Sequence, residues 1–139
     1  MTEHHFTLEH GDFSAKLVLG GKHSLYDFAA ILIKTVRFDF DHPFEFCDNL
    51  KRPYRSKERY SLFADMGHGD GELGVEETLV SEVFRPRRKI IFHFDYGDDW
   101  YFLLTCTAVK QSDKSRRFHS LLSTTGSPPV QYPDFEEEE

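Results

Sequence analysis

His42 and the aspartates Asp95, Asp98 and Asp99 are the residues here best suited to hold a hard divalent cation, offering an imidazole nitrogen and carboxylate oxygens from two separate acidic segments. His42 follows Asp39 and Asp41, and the three aspartates surround Gly97 just before Trp100. Joined by folding, the two segments could support metal-assisted, nuclease-like hydrolysis, or direct acid–base work by Asp95 and His42. The same residues have structural uses. Asp98 suits a turn, and Asp95 can accept backbone N–H bonds across it. Spacing alone leaves both uses open.

A second chemistry is electrostatic. Lys51, Arg52, Arg55, Lys57 and Arg59 cluster around Pro53, and Arg85, Arg87, Arg88 and Lys89 form another basic run. Arg55, Arg87 and Arg88 are candidates for phosphate contacts, with Tyr54 or Tyr60 stacking on bases. No base-reading module accompanies them, and pairing with Asp or Glu is the competing use. The glycine-rich stretch from Gly67 to Gly71 lacks the Gly-Lys-Ser/Thr ending of a phosphate loop. A calcium loop begun at Asp65 fails because Asp70 stands where its turn glycine belongs. Ser24, Ser61 and Ser81 lie in no nucleophile-elbow pattern. Cys47 and Cys106 form neither a redox pair nor a zinc ribbon and read as two buried thiols. No cofactor is expected.

These residues must be carried by a chain of 139 residues, the usual size of one domain. The expectation is a single domain over residues 1–135 with an acidic tail at 136–139. Fourteen Phe, six Tyr and one Trp concentrate apolar area in few positions. The formal charge of −7 opposes non-specific attraction to phosphate and anionic lipid, but five of the last six residues are acidic, so the body is near neutral. The longest apolar run, within Phe28 to Ile33, falls far short of the about 20 residues that span a bilayer. With no secretory signal at the N-terminus, a cytoplasmic location without membrane contact is expected.

The positioning elements follow from periodicity. Phe6 and Leu8, then Phe13, Ala15, Leu17 and Leu19, alternate on either side of Gly11-Asp12 as a hairpin. Ser24 caps a helix predicted from Ser24 to Arg37, with Leu25, Phe28, Leu32 and Val36 on one face. Pro43 ends that region and Phe44, Phe46 and Cys47 resume as a strand. Tyr60, Leu62 and Ala64 suggest another strand, and Leu79, Val83 and Phe84 a short second helix. A further hairpin places Ile90, Phe92, Phe94 and Tyr96 on one face, reverses at Gly97-Asp98, and returns with Trp100, Phe102, Leu104, Cys106 and Ala108 on one face. His93 and Tyr101 fall on the opposite face. Leu103 and Val109 make the return strand apolar on both sides, hence central. Phe118, Leu121 and Leu122 suggest a last strand, and residues 126–135 a coil laying Val130, Tyr132 and Phe135 on the body. The fold class is α+β: a mixed or mainly antiparallel sheet packed against one principal helix, with a short second helix.

Several of these segments resemble the plasmid-ORF-three-like domain family, also described as the passenger protein of a mycobacterial insertion element. The resemblance is carried by His23-Ser-Leu-Tyr-Asp-Phe28, by the run from Arg37 to Phe46, by Phe94-Asp-Tyr-Gly-Asp-Asp-Trp100, and by Gly126 through Phe135, over approximately residues 13–135. It implies an α+β fold and an association with mobile elements, and no assigned activity. Leu19-Gly-Gly-Lys-His23 stands where family members commonly carry Ile-Trp-Arg-Arg, so no ligand contact of those residues transfers. The resulting functional expectation is a non-enzymatic interaction or accessory domain with a protein partner, present as a monomer or small homo-oligomer. A metal-assisted hydrolase and a weak nucleic-acid-binding module are the alternatives.

Overall fold

The computed structural model describes residues 1–62 and 73–133. One eight-stranded sheet runs through them: β1 (Thr2–His10), β2 (Phe13–Gly20), β3 (Phe44–Cys47), β4 (Arg59–Ser61), β5 (Leu73–Gly74), β6 (Lys89–Phe94), β7 (Trp100–Gln111) and β8 (His119–Thr125). Their spatial order is β5-β4-β3-β6-β7-β1-β2-β8, and every pair is antiparallel except β4–β5. Helix α1 (Leu25–Thr35) and the short α2 (Val80–Val83) contribute to one core with the sheet. The fold is therefore α+β, with a mainly antiparallel sheet.

Ser24 starts α1 by accepting the Asp27 amide at 3.0 Å. Leu25, Phe28, Ala29, Leu32 and Ile33 are buried. The helix ends at Thr35, and Arg37, with a φ of 63°, turns the chain left-handed while the Phe38 amide bonds back to the Ile33 carbonyl. The predicted end at Arg37 thus becomes the reversal beyond the last helical residue. The Leu25 and Tyr26 amides donate to Thr78 and Val75, anchoring the approach to α2 on the start of α1.

Phenylalanines build the core. Phe6 touches Phe28 and Phe84 at ring-centre distances of 4.7 and 4.9 Å, and Phe38 meets Trp100 edge-on at 4.8 Å. Strand β7 lies between β6 and β1, as expected of a strand apolar on both sides. Its pattern is not the simple alternation predicted, because a bulge opposite His5 and Phe6 skips Thr107. Val109 therefore packs against the core, in place of Ala108. Tyr96 also departs from its predicted face: strand β6 ends at Phe94, and left-handed Asp95 redirects the chain so that the Tyr96 hydroxyl reaches Glu45.

Tyr60 is buried on β4, but that strand stops at Ser61, one residue short of Leu62. The expectations for Ala64, the 67–71 glycine stretch, the Asp65 loop, Phe135 and the acidic tail lie outside the described residues. Among the described residues no helix is long and apolar enough to cross a membrane.

Candidate functional site

The site grows from the β6–β7 turn. Asp95 and Asp99 take the left-handed conformation there, with φ of 66° and 53°, a region aspartate tolerates better than most residues. Asp95 is buried, and its Oδ1 accepts the Gly97 and Asp98 amides at 3.0 and 3.3 Å. Its own amide donates to the Pro43 carbonyl at 3.0 Å, tying the turn to the start of β3. That bond brings in the neighbouring His42, whose Nε2 lies 3.4 Å from Asp95 Oδ2. Thus Asp95 braces the turn with one oxygen and faces His42 with the other.

The coil after β8 completes the cluster. Gln131 accepts the Asp39 amide and donates to both the Asp39 carbonyl and Asp41 Oδ1, fixing the segment that ends in His42. The Tyr132 hydroxyl donates to Asp41 Oδ2 at 2.8 Å, and this bond pushes the phenol up to about 12. With its proton directed to Asp41, the phenol oxygen accepts from His42 Nε2–H, also at 2.8 Å. This assignment leaves His42 Nδ1 as the acceptor nitrogen when the ring is neutral. His42 also lines a cleft of about 370 Å³, with Tyr26, Phe40, Asp41, Pro43 and Leu62.

Asp98 is exposed on the turn, whereas Asp99 is drawn elsewhere, its Oδ1 2.8 Å from His93 Nε2. The four residues suggested as metal ligands are thus divided, with His42 and Asp95 together and Asp99 on His93. Among the described residues no group of three His, Cys, Asp or Glu side chains has the spacing to hold a metal ion. Of the candidate phosphate contacts, Arg88 is engaged by Glu58 at 2.6 Å and by the Val83 carbonyl. That pair joins the two basic segments, and Arg55 and Arg87 remain exposed. Trp100 is partly buried against the core, between Phe38 and Phe102.

A second polar cluster was not anticipated from sequence. Glu45 alternates with Phe44 and Phe46, so it points away from the core they fill. It is buried beside Arg59, His93, Cys47 and Tyr96. Burial alone would raise its pKa, but bonds from His93, Arg59 and Cys47 overcome this and hold it down at about 2. Burial and the Glu45 charge push the Cys47 thiol well above its ordinary range, away from nucleophilic use. Tyr101 stacks on His93 at 4.4 Å between ring centres. The cross-strand matches Glu45–His93 and His93–Tyr101 were the signal, but reading them requires the strand register.

The architecture defines a class, a mainly antiparallel sheet with one principal helix against it. It is shared with the protein of unknown function MM3350 from Methanosarcina mazei Go1, at a TM-score of 0.74 and 12% identity over 94% of this chain and 72% of that one. The chain belongs to the plasmid pRiA4b ORF-3-like protein family, whose sequence pattern matches residues 13–131. No curated protein matches it.

Proposed function

We propose that this chain is a non-enzymatic interaction domain and that the cleft beside His42 receives a basic side chain of a protein partner. The observation that carries this reading is the company of groups in the cleft. Tyr26 and Phe40, each 37% exposed, meet at 5.6 Å between ring centres beside the exposed carboxylate of Asp41. Aromatic faces attract a cation, and a carboxylate neutralises it. Among the described residues, none that lines the cleft is a serine, threonine or cysteine. We place the protein in the cytoplasm, a reading supported by the free thiols of Cys47 and Cys106.

The test is titration of the isotope-labelled protein with n-butylammonium and methylguanidinium, followed by amide NMR. The expected shifts centre on Phe40 to His42 and on Tyr26, weaken with added salt, and diminish in Asp41→Asn and Phe40→Ala. Shifts spread evenly over the acidic surface, or unchanged in both variants, would reject the cleft as the recognition site.

A further inference from the structure

Apart from the His42 cleft, we infer that the edge strand β8 and the adjoining face of α1 form a docking trough for an extended, acidic segment of a protein partner, which adds to the sheet as a ninth strand. This does not depend on the His42 cleft.

Strand β8 pairs only with β2 among the described residues, leaving its outer backbone edge open. Natural sheets commonly guard such edges with lysine, proline or inward charge. The sequence from His119 to Thr125, His-Ser-Leu-Leu-Ser-Thr-Thr, contains no Lys, Arg, Asp, Glu or Pro. Leu122 is the extra residue of a bulge in the β2 pairing, which twists the strand locally, yet three pairs precede it and three follow.

The trough supplies the side-chain part of the recognition. Leu121, half exposed, lies with Ile31 and Lys34 in a hollow of about 330 Å³ between β8 and α1. A second hollow of about 320 Å³, containing Asp27 and Arg117, shares Ile31 and His119 with the first, so the two form one passage. Strand β8, His119–Thr125, rises ~20 Å over its seven residues, enough to pair with four or five residues of an extended peptide. Alternate side chains of such a peptide enter between Ile31 and Leu121 while its backbone bonds to β8, the pattern of strand addition.

Charge selects the occupant. Lys34 and Arg117 line the passage, both exposed and with no carboxylate partner among the described residues. Asp27, the one carboxylate lining it among the described residues, lies 3.7 Å from His23 Nδ1. A second copy of this chain docked through β8 would bring two such basic rims together. An acidic strand is complementary to them.

The experiment uses the full chain and three synthetic decapeptides: one alternating valine with aspartate or glutamate, its lysine counterpart, and the acidic peptide N-methylated at alternate amides. Amide NMR titration of the acidic peptide is expected to shift Ser120 to Thr124 together with Ile31 to Thr35, and to slow exchange of β8 amides. The lysine peptide, the N-methylated peptide, and the exposed-site variant Lys34→Glu/Arg117→Glu are each expected to weaken binding about tenfold or more. An absence of β8 shifts at millimolar acidic peptide overturns the inference. So does equal binding of the N-methylated peptide, which would exclude strand addition, or of the lysine peptide, which would exclude the charge argument. Concentration-dependent β8 shifts without peptide, with a dimer in light scattering, would give the edge to a second copy instead.

Discussion

Glu45 sits among four donors, from His93, Arg59, Cys47 and Tyr96, on a short strand whose other residues are aromatic or sulfur-bearing. Because its folded pKa is held at about 2, below the ordinary 4.5, its stabilising contribution is complete above 4.5 and is lost as pH falls from there toward 2. Glu45→Gln should therefore cost about 2–3 kcal/mol at neutral pH, and the gap from wild type in denaturant melts should close below about pH 4. A gap that is constant with pH would mean that shape, not charge, matters there. His4 works in a different window. It is fully buried, neither ring nitrogen makes a well-formed hydrogen bond among the described residues, and burial lowers its pKa below 6.5, an effect that the approach of the Phe84 backbone opposes in part. The neutral ring is the folded form, so stability falls as pH drops below 6.5 and the unfolded chain takes up the proton first. His4→Leu should flatten the wild-type loss between pH 7 and 5, as measured by denaturant titration. Neither residue was legible as special in the sequence. Each is an ordinary polar position in an alternating strand until a distant strand sets what lies opposite.

Both ends of the principal helix illustrate what local sequence does and does not encode. The Ser24 cap was legible because it works within three residues. The stop at Arg37 was legible only approximately, because the left-handed position after the helix usually falls to glycine and here falls to arginine. Arg37→Gly should accordingly stabilise the fold by about 1 kcal/mol, read as a raised thermal midpoint. An unchanged or lowered midpoint would show that the arginine side chain makes up for its backbone. Gly126 is the converse. At φ 79°, with the site of an added Cβ against the Asp12 backbone, it lets the chain leave β8 and cross toward the Asp39 coil that Gln131 clamps. Gly126→Ala should cost about 2 kcal/mol or more in a denaturant melt, and should loosen Tyr132 from His42, seen as altered His42 ring shifts. A stable variant with undisturbed His42 would separate the glycine from the site. In the β6–β7 turn, which reverses at Gly97-Asp98 as the sequence indicated, the left-handed residues are Asp95 and Asp99, and Gly97 contributes its amide to Asp95.

At the scale of the molecule, the two-sided apolar character of β7 was readable as centrality, but its neighbour was not. β7 pairs with β1, matching Thr2 to Gln111 across almost the whole chain, and no local pattern specifies a register set over that distance. The bulge that exchanges Ala108 for Val109 belongs to this long-range pairing, so it was invisible for the same reason. The β1–β7 seam holds Phe6, Leu8, Leu104 and Cys106, all buried, whereas the β4–β5 end is a two-residue match at the margin of the sheet. Stability should be graded accordingly. Native-state hydrogen exchange should find the bonded amides of the β1–β7 seam opening only with global unfolding, at the free energy a denaturant melt reports, while β4 and β5 open locally at lower cost. If the seam exchanged as readily as β4, the sheet would be behaving as two separable halves, an N-terminal hairpin with β8 and a β3–β7 body. The long-range pairing would then follow from packing against α1 and no longer unite the fold.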